Sequence, residues 1–210
     1  MKKPAIFLTT LTLLCSIAWA QNVTSKKTVI NAPAVIASTS NSTDLPFFTT
    51  EADAEKIVAG IMNVMGLESN FKIKEAHVPN VEAKIRHHER YILYNPEFIK
   101  QVNKVTRNKW ASIFILAHEV GHHLEGHTLL DISSRPDIEL EADQFAGFVL
   151  CKMGASLDQS RLAMYYIANI DGSKTHPARA DRLLAIEKGW DKAEAETETS
   201  GIIANSSTSH

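Results

Sequence analysis

Two histidines and a glutamate lie close together with the spacing of a metal-binding pair and an adjacent base. The stretch reads His118-Glu119-Val120-Gly121-His122, within an apolar segment predicted to be a helix from Trp110 to about His127. Residues four apart on a helix are about 40° apart around its axis, so both imidazoles project from one face. They can take two corners of a tetrahedral zinc site. Zinc lowers the pKa of a coordinated water, and Glu119 lies close enough to accept that water's proton.

A third ligand has to come from a later segment. A third histidine with the spacing H-E-x-x-H-x-x-G-x-x-H is excluded, because Glu125 and Thr128 stand where its glycine and histidine would be. The next acidic group lies on a second predicted helix, Pro136 to Met153. Glu139 and Asp143 share one face of that helix, so one can bind the metal while the other orients a histidine.

An alternative interpretation of these residues needs no metal. Two core histidines can be satisfied by hydrogen bonds alone. However, the run from Phe145 to Leu150 is apolar, which predicts that this helix is buried, and buried carboxylates without a metal or cation are costly. The metal site is therefore favoured. Glu141 points away from Glu139 and Asp143 and is expected to be solvated.

Three motifs taken together resemble a known family. H-E-x-x-H, the E-x-x-A-D run from Glu139 and the H-P-x-x-x-D-R run from His176 are similar to those of the HtpX/BepA-type zinc metallopeptidases, which are gluzincins. The resemblance covers about Tyr91 to Leu184. The run Glu139 to Ala146 also resembles the E-x-E-A-x-x-F-A motif of the ImmA/IrrE-type metallopeptidases, which is the second choice of family. Many HtpX/BepA-type members carry transmembrane helices, whereas this sequence predicts none in the mature chain.

The resemblance implies a role for each matching residue. It implies one zinc ion per chain, bound by His118, His122 and Glu139. Glu119 is implied to be the catalytic base. Asp143 is implied to support a ligand. His127 matches a histidine common in the family, but on a continuous helix it would lie opposite the metal face, so a structural role is expected for it. His176 is implied to stabilise the oxyanion, and Arg182 to pair with a site carboxylate such as Glu139. The alternatives are that His176 only precedes the helix opened by Pro177, and that Arg182 is a solvated charge.

The elements that position these residues follow from periodicity and capping signals. Alternation predicts three short strands, and helical periodicity with capping residues predicts the helices. The predicted strands span residues 71–76, 81–85 and 90–94, and the predicted helices begin after residues 50, 95, 109, 135, 156 and 176. Strands followed by helices indicate an α+β fold. We expect a zincin-like arrangement, with a small antiparallel sheet packed on a mainly helical metal-binding core.

The chain divides into four segments. Residues 1–20 have two lysines, an apolar run and the small-x-small site Ala18-Trp19-Ala20, which predicts a cleaved signal peptide. Residues 21–50 are predicted to be a flexible leader, 51–190 the metallopeptidase domain and 191–210 a disordered tail. Export is therefore expected, and the short Lys-Lys start together with the lack of disulfides favours the periplasm over full secretion.

Composition restricts the partners. Lys and Arg total 22 against 24 Asp and Glu, so the chain lacks the positive charge that nucleic-acid binding needs. The sequence therefore predicts an exported zinc-dependent endopeptidase with protein or peptide substrates, in envelope protein quality control. An extended substrate would add to a sheet edge, and residues 90–94 are the candidate edge strand. The alternative function is a non-catalytic zinc-containing binding protein or chaperone of the envelope.

Overall fold

The computed structural model describes residues 45–129 and 135–207 of the 210-residue chain. The predicted signal peptide, the leader as far as residue 44 and residues 208–210 of the predicted tail lie outside this part. The described residues form six α-helices and one three-stranded sheet, which confirms the α+β prediction. The elements are α1 Glu51–Val64, β1 Phe71–Glu75, β2 Val81–Arg86, β3 Glu89–Tyr94, α2 Pro96–Thr106, α3 Lys109–Leu124, α4 Pro136–Lys152, α5 Leu157–Ile167 and α6 Arg179–Ser207.

Local capping chemistry explains where the helices begin. Thr50 and Asp53 form a capping box at the start of α1, and Ser156 and Gln159 form another at the start of α5. The side chain of Asn95 accepts hydrogen bonds from the first backbone N–H groups of α2. Each of these caps satisfies N–H groups that have no partner within the helix.

The sheet is mixed, with the order β1-β3-β2. β2 pairs with β3 antiparallel, whereas β1 pairs with β3 parallel. The prediction of an antiparallel sheet is therefore wrong for β1. The prediction that residues 90–94 form an edge strand is also wrong, because β3 lies in the centre and both of its sides are paired. Edge strands are commonly protected by charged side chains, and the lysines lie on β1 and β2: Lys72, Lys74 and Lys84.

The third helix runs through the centre of the molecule. Every residue of α3 from Trp110 to Gly121 is buried. α4 packs against one side of α3 and against α6. The contact between α4 and α6 is close because glycines face it from both helices: a Cβ on Gly147 would collide with the backbone of Ile186, and one on Gly189 with that of Gln144. This approach brings the start of α6 towards the motif residues of α4.

The last helix is longer than the sequence predicts. The sequence predicts a disordered tail from residue 191, but α6 continues to Ser207, so that prediction is wrong for residues 191–207. The segment is rich in alanine and glutamate, which are good helix formers. Its first turns are anchored, because Ala193 is buried and the Trp190 indole donates a hydrogen bond to the Ala155 carbonyl at 2.9 Å. None of the helices in the described ranges is long and apolar enough to cross a membrane.

Candidate metal centre

Three side chains from two helices converge on one point. α3 supplies His118 and His122, and α4 supplies Glu139. The two Nε2 atoms are 3.1 Å apart, and the carboxylate oxygens of Glu139 lie 3.5 Å from His118 Nε2 and 3.6 Å from His122 Nε2. One ligand atom from each residue fits within 4.8 Å of the others, and the group is largely buried. The arrangement can hold a metal ion.

The second nitrogen of His118 faces a buried ion pair. Nδ1 of His118 lies 3.0 Å from Oδ1 of Asp143, which is fully buried on α4. Arg182 of α6 donates two hydrogen bonds to Asp143, from Nε at 2.6 Å and from Nη2 at 2.8 Å. Arg182 also lies 3.7 Å from Glu139. The structure therefore places Arg182 between both carboxylates, with its closer contact to Asp143 rather than to the expected Glu139.

The second nitrogen of His122 faces another histidine. Nδ1 of His122 lies 3.0 Å from Nδ1 of His127, and Nε2 of His127 lies 2.9 Å from Oε2 of Glu141. The prediction that Glu141 points into solvent is therefore incomplete: its side chain is 61% exposed, yet its carboxylate reaches a buried histidine. The prediction that His127 lies opposite the metal face is wrong.

The chemistry of the donor set fits a cation. A carboxylate facing Nδ1 of His118 favours a proton on that nitrogen, which leaves Nε2 of His118 as a lone pair. If His122 likewise carries its proton on Nδ1, two lone pairs and the Glu139 carboxylate all point at the same space. Such a group of acceptors needs a positive charge between its members. These residues are therefore suited to a divalent metal ion such as zinc.

In the absence of a metal, a proton can supply that positive charge. Burial acts to lower the pKa of His118, but hydrogen bonding to Asp143 and Glu139 outweighs it and raises the pKa to about 9. Burial, together with the nearby charge of His118, lowers the pKa of His122 to about 3. The two histidines therefore share a single positive charge, which lies on His118, while His122 stays neutral. This is expected for titrating groups that lie close together.

The expected base, Glu119, is held at the sheet edge. Its Oε2 accepts a hydrogen bond from the backbone N–H of Ala83 on β2 at 2.7 Å. Burial raises the pKa of Glu119 to about 7, against the opposing effects of the His118 charge and the Ala83 amide. A carboxyl group with a pKa near neutrality can both accept and release a proton. Sequence reasoning missed the contribution of β2, although its charged alternating residues are typical of an edge strand.

An open cleft of about 770 Å³ gives access to the centre. β2 contributes residues to the lining of this cleft, and apolar residues from α2, α3 and α5 also line it. These apolar residues are Phe98, Phe114, Ile115, Met164 and Ile167. His176 also lines the cleft, half-exposed, with Nε2 3.9 Å from Oε2 of Glu139. The structure thus brings His176, which precedes α6, to the edge of the metal site.

Comparison with protein-family models, with curated proteins and with solved structures found no significant match to this chain.

Proposed function

We propose that the protein is an exported zinc-dependent endopeptidase with one zinc ion, held by His118, His122 and Glu139. The observation that carries the proposal is the convergence of these three acceptors at the floor of an open cleft. The resemblance of the motifs to those of the HtpX/BepA-type metallopeptidases supports the same conclusion. The α+β fold is compatible with a zincin-like core. The signal peptide predicted for residues 1–20 makes the periplasm the favoured location.

The mechanism assigns a task to each side chain around the centre. Bound zinc would supply Lewis-acid chemistry, polarising a peptide carbonyl and lowering the pKa of a coordinated water. Glu119 takes the proton of the attacking water and delivers it to the leaving amine. His176 lies close enough to the centre to donate a hydrogen bond to the carbonyl oxygen as negative charge develops there. Asp143 and Arg182 keep His118 in its orientation.

Substrate is held in extended form along β2. Ala83 is paired with Ile92 on β3, yet its N–H points to Glu119, so this residue directs its backbone groups into the cleft. Val81 and Ile85 share its orientation by the two-residue repeat of a strand. A peptide lying along this edge can hydrogen-bond to the outward-facing backbone groups of Val81 and Ile85 while its side chains reach the apolar residues that line the cleft.

The first test compares the wild type with Glu119→Gln for zinc content and casein cleavage. We expect one zinc per chain in both proteins, and cleavage reduced at least 100-fold in the variant, because general acid–base catalysis contributes roughly 10²–10⁴-fold. Glu125→Gln is the matched control, since it makes the same change on an exposed side chain at the end of α3. A chain without zinc would contradict the metal site, and full cleavage by Glu119→Gln would contradict the role of the base.

Removal of the metal separates this proposal from a non-catalytic zinc-containing binding protein or chaperone. The hydrophobic core extends from α1 to α6 and does not depend on the metal ligands. We therefore expect a chelator to abolish casein cleavage and lower the melting temperature, with helical circular dichroism retained, and added zinc to restore activity. Loss of the helical signal on chelation, with no cleavage beforehand, would favour the structural alternative.

A further inference from the structure

A chain of three side chains connects His122 to the surface of α4. The two Nδ1 atoms of His122 and His127 are 3.0 Å apart, and Nε2 of His127 is 2.9 Å from Glu141. His127 is buried, whereas Glu141 is largely exposed. The contact spans two elements, because His127 lies on a 3-10 turn, His127–Leu129, and Glu141 lies on α4.

The direction of the hydrogen bonds follows from the acceptor at the outer end. A carboxylate only accepts, so Nε2–H of His127 donates to Glu141. A neutral His127 then has a lone pair on Nδ1, which accepts a hydrogen bond from Nδ1–H of His122. The Nε2 atom of His122 is left without a proton and faces His118 and Glu139. Each step sets the tautomer of the next ring.

We propose that His127 and Glu141 are positioning residues that fix the tautomer and orientation of His122 for metal binding. The inference rests on the proposed metal site. His118 is already oriented by Asp143, so the pair formed by His127 and Glu141 gives the second histidine an equivalent support. The three acidic residues of the α4 motif then have separate tasks: Glu139 faces the metal position, Asp143 supports His118 and Glu141 supports His122 through His127.

The first measurement is the zinc dissociation constant, determined by competition with a chromophoric chelator. We expect His127→Leu and Glu141→Ala to weaken zinc binding by about 10- to 100-fold, as is typical when an outer hydrogen-bond partner of a ligand is removed. His127→Asn places a side-chain carbonyl oxygen near the position of Nδ1, where it can accept a hydrogen bond from Nδ1–H of His122, and is expected to restore part of the affinity. Glu125→Ala is the control for Glu141→Ala, because it removes a nearby exposed carboxylate that does not belong to this chain of contacts.

The second measurement is made on the metal-free protein and does not depend on activity or on zinc. Long-range proton–nitrogen correlation spectra of the imidazole rings show which nitrogen carries the proton. We expect the proton on Nδ1 in His122 and on Nε2 in His127, with the His122 pattern lost in His127→Leu. Circular dichroism of each variant checks that it is folded. If His127→Leu does not fold, Glu141→Ala provides the test, because Glu141 is largely exposed and its removal takes away the outer partner of His127.

The outcomes separate this inference from the proposed function. Weaker zinc binding in both variants with no casein cleavage by the wild type would support the positioning role and contradict the peptidase. Zinc affinity within twofold of the wild type in His127→Leu and Glu141→Ala would overturn the positioning role and leave the peptidase proposal standing. A proton on Nε2 of His122 in the metal-free wild type would also overturn it.

Discussion

Arg182 and Asp143 form a buried, bidentate ion pair that joins α6 to α4 next to the candidate metal centre. The guanidinium donates from Nε and Nη2 to the two carboxylate oxygens, at 2.6 and 2.8 Å. Both side chains are more than nine-tenths buried. Nδ1 of His118 contacts the same carboxylate at 3.0 Å. The ion pair therefore couples the packing of α4 and α6 to the orientation of a predicted metal ligand.

Removal of one member of this pair leaves the other as a buried charge without its partner, so the losses of stability at the two positions should not be additive. Arg182→Met leaves the Asp143 carboxylate buried without its main counter-charge, and we expect a loss of about 3–5 kcal/mol in the free energy of unfolding. Asp143→Asn combined with Arg182→Met should lose less than the sum of the single losses. Urea unfolding of the metal-free proteins measures all four corners of this cycle.

The control for this cycle is a more exposed pair on neighbouring helices. Arg161 of α5 pairs with Glu187 of α6, and both side chains are roughly one-third exposed. Arg161→Met should therefore lose less than about 1 kcal/mol. Strictly additive losses at Arg182 and Asp143, or an equal loss at Arg161, would contradict the importance of the buried pair.

The hydrogen bond between Ala83 and Glu119 predicts an effect of a backbone change on catalysis. Ala83→Pro removes the N–H that donates a hydrogen bond to Glu119. It breaks no backbone hydrogen bond to β3, because that N–H points into the cleft. We expect the zinc content to be unchanged. Casein cleavage should be about 10- to 100-fold slower, since a hydrogen bond to a charged group contributes about 1.5–3 kcal/mol. Ala83→Val keeps the N–H and is the control. Equal activities of the two variants would show that the contact does not position the base.

The parts of the fold that depend on neighbouring residues could be predicted from the sequence. Capping residues such as Thr50, Asn95 and Ser156 act within one turn of helix, so their effect is visible in a short segment. The alternation of side chains likewise predicted three strands in the correct places. The convergence of His118 with His122 is also local, because a single helix sets it.

The order of the strands could not be predicted with the same certainty, since alternation describes one strand and not its neighbours. The signal that distinguishes them is charge: β3 ends in the buried run Ile92, Leu93 and Tyr94, whereas the outer strands carry lysines. Weighing that difference would have placed β3 in the centre, but it does not distinguish β1 from β2 as the strand beside the cleft.

The contact between His127 and His122 was missed for a conformational reason. The prediction extended the helix to His127, which placed that residue on the far side. α3 instead ends at Leu124, and Gly126 adopts a positive φ of 79°, which lets the chain turn back towards the helix. A glycine one residue before a histidine was the available signal, because glycine adopts this conformation at little cost.

The close packing of α4 and α6 predicts opposite effects for glycine-to-alanine changes at different helical positions. In Gly147→Ala or Gly189→Ala the new methyl group would meet the backbone of the other helix, so we expect a loss of about 1–3 kcal/mol. Gly60 of α1 is the control, because the nearest atom to its added Cβ would be a leucine side-chain carbon at 3.4 Å. Gly60→Ala should gain about 0.5–1 kcal/mol from helix propensity. Thermal unfolding would show whether the signs differ, and a gain at Gly147 or Gly189 would contradict the tight contact.

The turn between β2 and β3 holds two histidines in a conformation that suits other residues better. His87 and His88 have φ values of 51° and 65°, between the paired residues Arg86 and Glu89. A two-residue hairpin turn with both φ angles positive favours Asn-Gly, since a side chain in the left-handed region costs roughly 1–2 kcal/mol. We therefore expect His87→Asn with His88→Gly to raise the free energy of unfolding by about 1 kcal/mol. The control is His77→Gly, at an exposed loop residue without a positive φ, which should leave stability unchanged or lower it. A loss of stability in the Asn-Gly variant, measured by urea unfolding, would mean that the histidines make contacts that outweigh their backbone strain.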